Sequence, residues 1–252
     1  MSTHESTAVT VSRLMQENFS VAPAHSLFLA GFVGKDLEAI LSEARVQHFF
    51  RHTVITTQDA AADRLFLITK GRARFFFETP EGKKLILLWL VPGDIFGGAA
   101  LVEPCVNYLV GTEALKDSSM LVWDRATLRK LIVRYPTLVQ NALRFAHTYL
   151  AWYVADHSAL VTHSARQRLA RVIVCLAEGI GEEIGDHREI DATNEELATA
   201  ANITPFTTSR ILREWQRRRA VVKRRGKIVL LSKKLLFATA NDREGRHERS
   251  LM

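Results

Sequence analysis

The stretch that decides the fold is "NITPFTTSRILREWQRRRAVVKRRGKIVLL", residues 202–231. Two rows interleave on one short helix. Thr208, Ile211, Leu212 and Trp215 stand at i, i+3, i+4 and i+7, the spacing of a face that docks on a core. Phe206, Ser209, Arg210 and Arg213 repeat that spacing on another face, for which docking has no use. Seating the helix by its apolar row turns the second row outward, with two arginines and an unexpected phenylalanine.

The flanks give this helix its setting. Thr193 with Glu196 forms a capping box that opens an earlier helix through "ELATAA". Asn202 tolerates the left-handed conformation that closes a helix. Thr204 caps the next helix, with Pro205 at its first position, where a missing N–H costs nothing. Two helices joined by about four residues make a helix-turn-helix. The basic strand pair "AVVKRRGKIVLL", turning at Arg225-Gly226, makes it winged.

Charge points the same way. Residues 193–234 hold eleven Lys/Arg and three Glu, a net +8, so with +7 for the whole chain the other 210 residues sum to −1. A positive field confined to a sixth of the chain marks a polyanion-binding module on a nearly neutral body. A merely solvated basic face is the bland alternative. For duplex DNA, the outward row reads bases at its N-terminal end: Arg210 suits the O6/N7 edge of guanine, Ser209 a neighbouring base, and Phe206 a thymine methyl. Thr204, Thr207, Arg213, Arg217, Arg218, Arg219, Lys223, Arg224, Arg225 and Lys227 are assigned to phosphates.

From Pro136 a helical pattern runs for some twenty-five residues. Val139, Leu143, Ala146, Leu150, Tyr153, His157 and Leu160 form a heptad seam, and Leu138, Ala142, Phe145, Tyr149 and Trp152 form a second beside it. One seam can pack on the chain's own body while the other meets a second copy, which predicts a homodimer. The alternative is a helix buried wholly within one monomer. Before it, residues 46–124 break into short β-rich runs, "HTVIT", "RLFLITKG", "ARFFFE", "KLILLWL", "NYLVGTEAL" and "SMLVWD", with turns at "TPEGKK" and "VPGD". Such spacing predicts an antiparallel barrel or jelly roll. A helix is expected around "GKDLEAILSEA". Between the long helix and the recognition segment, "SARQRLARVIVCLAEGI" reads as an amphipathic helix with Leu169, Val172, Ile173, Leu176 and Cys175 inward. "GEEIGDHREID" reads as a polar loop.

The fold class is therefore α+β. The expected order is a flexible tail at 1–24, a jelly-roll sensor (a double-stranded β-helix) at 25–135, a dimerisation helix at 136–162, a winged helix-turn-helix at 163–238 and a flexible tail at 239–252. An apolar fraction of 47% with 24% charged residues is ordinary for a globular protein. Two cysteines cannot build a disulfide framework or a zinc cluster, so a reducing cytoplasm is expected. No signal peptide or membrane span is read.

This order resembles the CRP/FNR family of bacterial transcription regulators, through "FLITKGRARFFFETPEGKKLILLWLVPGDIFG" in the sensor and "TNEELATAANITPFTTSRILREW" at the DNA end. The resemblance covers residues 25–235. It implies a dimer on a two-fold related DNA site, RNA polymerase as partner, and affinity set by a signal in a cyclic-nucleotide-binding-like barrel. Its effector position falls on Phe96, Gly97, Gly98, Tyr108, Leu109 and Tyr153. Where cyclic-AMP-binding members carry a Glu for the ribose and an Arg–Ser pair for the phosphate, this chain has Gly98, Tyr108 and Leu109, and the adenine positions hold Tyr153 and Val154. A buried cyclic phosphate would meet no cation there, so no response to cyclic AMP is expected. The iron–sulfur branch needs N-terminal cysteines, and none precedes Cys105; the Cys and His of the carbon-monoxide-sensing haem branch are Gly97 and Ala99. "TSR" keeps the Ser209–Arg210 pair of the oxygen-regulator branch, but its cytosine-reading Glu is replaced by Phe206.

No cofactor and no metal are predicted. Haem has only His48, His52, His147, His157 and His163 as candidate ligands, each read as a surface or packed histidine. Cys105 follows Pro104 in a loop, where a thiol switch is the alternative to an inert residue. No catalytic residues are expected. A cupin-like enzyme needs an H-x-H pair, and none of the nine histidines makes one. A non-specific nucleoid-type binder shares the charge but lacks a large specificity ratio.

Overall fold

The computed structural model describes residues 26–241, which form two compact units dividing inside the long helix, between Tyr153 and Val154. The tail expected at 1–24, and the C-terminal one beyond residue 241, lie outside the described residues.

The first unit opens with a 3-10 turn, Leu27–Leu29, and helix α1, Gly34–Ser42. Eight strands follow: β1 (Arg45–Phe49), β2 (Val54–Thr56), β3 (Arg64–Lys70), β4 (Ala73–Glu78), β5 (Lys84–Leu90), β6 (Ile95–Phe96), β7 (Gly111–Ala114) and β8 (Ser118–Asp124). Two four-stranded antiparallel sheets result, β1-β8-β3-β6 and β2-β7-β4-β5, the jelly-roll pattern. Helix α2 (Arg125–Arg134) starts where the Asp124 carboxylate accepts from the Thr127 N–H at 2.8 Å, and α3 (Thr137–Thr162) is the long helix.

Residues 65–69 of β3 are buried without alternation. The reason is that β3 serves two cores with a period of two. Leu65 and Leu67 pack with Phe28, Ile40, Trp123, Leu128, Leu138 and Phe145, on the helix side. Phe66 and Ile68 pack with Phe96, Leu90, Met120 and Val122, inside the barrel. Tyr149 of α3 packs against both. Polar ties fix the helices: Trp123 Nε1 donates to Ile40 O at 3.0 Å, and Asn141 Nδ2 donates to Phe28 O at 3.0 Å and Ala30 O at 2.9 Å. The long helix is sided as its two seams predict as far as Tyr149, but Trp152, expected on the inward seam, is 51% exposed because the barrel core ends at Tyr149. Leu138 and Phe145 are buried and Tyr149 and Ala142 partly so, whereas Leu143, Ala146 and Leu150 are exposed.

The second unit holds the end of α3, helix α4 (Ala165–Ile180), strands β9 (Glu182–Ile184) and β10 (His187–Asp191), helices α5 (Asn194–Ala200) and α6 (Pro205–Arg217), strands β11 (Val221–Arg224) and β12 (Lys227–Leu230), and helix α7 (Lys233–Asn241). Its sheet runs β11-β12-β10-β9.

Four expectations are corrected. "GEEIGDHREID" is a hairpin: Ile184 pairs with His187 across Gly185, at φ 57, and Asp186, while β10 buries Ile190 against Ile228. Cys175 is exposed, because it falls on the side of α4 opposite Leu169, Ile173 and Leu176. Val172 is only partly buried, and Val174 takes its place in the core. Helix α7 carries the ordered chain through Asn241 with Thr239 and Ala240 buried, so the expected boundary at 238 moves outward.

Candidate nucleic-acid interface

Helix α6 is built as its two rows require. The Thr204 hydroxyl accepts from the Thr207 N–H at 3.1 Å, a side-chain N-cap with Pro205 in the first turn. Thr208, Ile211, Leu212 and Trp215 are buried, and the Thr208 hydroxyl donates to Thr204 O at 3.1 Å, so the polar member of the seated row is satisfied. Burying Ile211 and Leu212 stabilises the seat by roughly 1.5–3 kcal/mol each, while Trp215 is buried with its Nε1 lacking a partner among the described residues, which offsets part of its gain. Asn202 sits at φ 49 in the turn before α6, and Arg219 at φ 57 after it, where the Ala220 N–H closes on Trp215 O at 2.9 Å.

Two arginines of α4 fix the motif from behind, and nothing in the sequence pattern marks them. Arg168 clasps the turn, donating from Nε to Ala201 O at 2.9 Å and from Nη2 to Asn202 O at 3.2 Å. Arg166 makes a two-pronged pair with Glu214 of α6, at 2.6 and 2.7 Å, and also reaches Thr239 O at 3.2 Å. The Arg166 hydrogen bond, with Arg218 and Arg210 nearby, holds the Glu214 carboxyl below the usual range. Spacing in the sequence marks Glu214 only through its i−4 and i+4 neighbours Arg210 and Arg218, the latter 3.3 Å away.

The outward row is presented to solvent. Phe206 is 75% exposed, Arg210 and Arg213 are exposed, and Ser209 is half-buried. Arg213 Nε donates to Ser209 O at 3.3 Å. Thr204 is exposed and Thr207 half-buried at the same end of the helix, and Arg217, Arg218 and Arg219 are exposed at the other. The wing turns at Gly226, at φ 69, and is tied to α6 by the Lys223 N–H, which donates to Gln216 Oε1 at 3.1 Å. Lys223 and Arg225 are exposed, whereas Arg224 and Lys227 reach back to Glu189 of β10. The sequence assigned all four to phosphates; the structure gives two of them a protein partner.

Comparison with known proteins decides the kind of molecule. The cyclic nucleotide-binding domain matches residues 46–135, and the Crp-like helix-turn-helix domain matches residues 167–238. The chain belongs to the CRP/FNR family. It is similar to the CRP-like cAMP-activated global transcriptional regulator of Mycobacterium tuberculosis, with 23% identity over 78% of this chain and 88% of the relative. Among solved structures it resembles TTHB099, a CRP-family transcriptional regulator from Thermus thermophilus (TM-score 0.66, 21% identity, 78% of this chain and 97% of that one). FixK2 from Bradyrhizobium japonicum is similar too, with a TM-score of 0.69 at 18% identity, covering 78% of this chain and 96% of that one. The molecule is a CRP-like transcription regulator with a helix-turn-helix DNA-binding domain.

Of the residues assigned by resemblance to an effector position, Phe96 belongs to the aromatic core of the barrel. Phe96 stacks on Phe66 at 4.6 Å with an interplanar angle of 4°, and Phe75 stands edge-on to Phe96 at 6.4 Å and to Tyr149 at 5.8 Å. Gly97 is left-handed at φ 78, and a Cβ there would meet Arg64 O at 2.4 Å. The Tyr108 ring is buried, but its hydroxyl is spent on the Arg64 backbone, accepting from N at 3.0 Å and donating to O at 2.9 Å. Gly98 and Tyr153 are exposed, and Leu109 is 83% exposed. Beneath the aromatic cluster, Asp94 accepts from the Val91 N–H at 2.9 Å, and burial pushes its carboxyl up to about 6. Burial, and then the Asp94 charge, drive the Tyr149 phenol well above its ordinary range. Its hydroxyl is buried with no partner among the described residues.

The histidines read as surface or packed keep that character. His48 Nδ1 lies 2.9 Å from Ser119 Oγ, and exposed His52 lies 3.3 Å from Glu113. His147 and His157 are exposed, and His163 is half-buried. Cys105 is exposed in its loop. Among the described residues no three His, Cys, Asp or Glu gather as a metal site, and no helix is long and apolar enough to cross a membrane.

Proposed function

We propose that this CRP-like regulator binds a two-fold related DNA site as a homodimer, without responding to cyclic AMP. The observation that carries the reading is the division of α6 into a buried row, Thr208 to Trp215, and an outward row bearing Phe206, Ser209 and Arg210. That outward row enters the major groove with its N-terminal end. Arg210 takes a guanine edge, Ser209 a neighbouring base, and Phe206 packs on a thymine methyl. Thr204, Thr207, Arg213, Arg217, Arg218, Lys223 and Arg225 lie along the phosphates.

Dimerisation is supported by the outward seam of α3. Leu150 is 61% exposed, in line with Leu143, Ala146, Tyr153, His157 and Leu160, with Val139 partly covered at its start. A second copy of α3 covers this seam and sets two recognition helices about 34 Å apart, one turn of DNA. The aromatic filling of the barrel argues against cyclic AMP: Phe66, Phe75, Phe96 and Tyr149 take the interior, and Gly98, Tyr108 and Leu109 offer a phosphate no cation. The chain acts in the cytoplasm with RNA polymerase as its partner and carries no enzymatic activity, haem or metal in this reading. Selection from random duplexes on the purified protein, with and without cyclic AMP, tests it. The expected result is a palindromic site keeping the guanine opposite Arg210, altered beside it, and indifferent to the nucleotide. Binding without sequence preference, or a strict requirement for cyclic AMP, overturns it.

A further inference from the structure

The wing carries four cations, and its sheet divides them into two pairs. Arg224 lies opposite Lys227 in the hairpin, and Lys227 lies opposite Asp191 on β10, with Glu189 two residues along. Side chains two apart share a face, so Glu189, Asp191, Lys227 and Arg224 stand on one side of the sheet. Glu189 Oε2 accepts from Arg224 Nη1 at 3.1 Å, and its Oε1 accepts from Lys227 Nζ. The Glu189 side chain is only 6% exposed beneath the two cations, whose own side chains are 59% (Arg224) and 43% (Lys227) exposed. Glu182 of β9, opposite Glu189, adds a third acid, and Lys227 holds its proton more tightly because of Glu189 first and then Glu182 and Asp191. Lys223 falls in the row of Ile228 and Ile190, one residue out of phase with that face, and Arg225 sits in the turn.

If Arg224 and Lys227 turned to phosphates, the Glu189 carboxylate would lose both of its counter-charges just as more negative charge arrived beside it. Separating two ion pairs next to an incoming anion is unfavourable. We infer that Glu189 determines specificity at the DNA interface by withholding Arg224 and Lys227 from phosphates, leaving Lys223 and Arg225 as the wing's phosphate contacts. This rests on the DNA-binding reading above and corrects the sequence expectation of four wing contacts. Non-specific affinity is set by how many phosphates are neutralised. Holding back two cations per protomer lowers affinity for every sequence alike and leaves the discrimination of α6 a larger share of the total. Glu189 touches no base; it acts through the two cations it holds.

The test is the salt dependence of the full-length protein on random-sequence duplex and on its selected site. Glu189→Gln frees both cations, so the slope of log K against log salt on random DNA steepens by about 1.8 per protomer, from about 0.9 per phosphate. Random-DNA affinity rises several-fold at low salt and the specificity ratio falls. Unchanged or weaker random binding by a folded E189Q protein overturns the inference. If E189Q unfolds, the triple variant Glu189→Gln, Arg224→Met, Lys227→Met decides, since it removes the whole charge cluster together. Its slope should match the wild type, and a fall approaching about 1.8 per protomer shows that the two cations did bind phosphate. Wild-type protein without salt-dependent duplex binding would instead overturn the DNA-binding reading, whatever Glu189 does.

Discussion

Arg210 and Phe206 lie one helical turn apart on the same row, yet they carry different kinds of information. A guanidinium presents two parallel N–H donors to guanine, whereas a phenyl ring presents only apolar surface. Arg210→Ala should therefore lose about 1–3 kcal/mol of discrimination at one base pair. Phe206→Glu should move preference at the adjacent position toward cytosine, whose N4 amino group then meets an acceptor; competition titrations against single-base variants read both. Asp94 makes a prediction of another sort. Burial raises its pKa from an ordinary 3.8 to about 6, so the folded sensor prefers the protonated acid. The stability this contributes is complete below the ordinary value and is lost as pH rises through about 6. Asp94→Asn keeps an oxygen for the Val91 N–H without the buried charge. At pH 7 it should be more stable than the wild type by on the order of 2 kcal/mol, with a flattened profile between pH 4 and 6. Denaturant melts across that range check it, and a variant less stable at pH 7 than at pH 4 would contradict the burial argument.

Elements were legible wherever a period or a cap is written locally. Thr193 with Glu196, Thr204 with Pro205, and the row Thr208, Ile211, Leu212, Trp215 are all short-range signals, and each appears in the structure at its stated place. What escaped depends on distant partners. Strands β1 and β6 carry little pattern because their register comes from β8 and β3, and the β9–β10 hairpin holds only Ile184, which is exposed, and Ile190, which meets Ile228, among polar residues. The Arg166–Glu214 pair joins residues 48 apart in sequence, so no spacing could reveal it. Its consequence is measurable. Arg166 is largely covered, with Nη atoms committed to Glu214 and Thr239 O. Glu214→Gln leaves that guanidinium short of a counter-charge and should destabilise the second unit by about 2–3 kcal/mol, since breaking a covered pair costs far more than an exposed one. The helix then loses its fixed bearing on α4, and affinity falls for all sequences together. Loss confined to one base pair would show that Glu214 acts on Arg210 instead.

For the whole molecule, the question is what the long helix does with two apolar seams. Leu138, Phe145 and Tyr149 are committed to the sensor cores, which accounts for one of them. The other leaves Leu143, Leu150, Tyr153 and Leu160 exposed, more large apolar side chains than a helix face leaves uncovered without a partner. The seam was readable because a heptad is local, whereas which seam stays exposed depends on which one the barrel claims. Leu143→Asp with Leu150→Asp places two charges on the outward seam and none on the inward one. The variant should fold with nearly unchanged melting of both units, because neither side chain contributes to a core. In native mass spectrometry it should run as a monomer. A monomer engages one half-site at a time, forfeiting the effective concentration that a linked second helix supplies, and affinity for the full site should fall at least ~100-fold. Half-site affinity should be unchanged. A variant that stays dimeric, or one that is monomeric yet binds the full site as tightly as the wild type, would mean the outward seam of α3 serves something other than pairing two recognition helices.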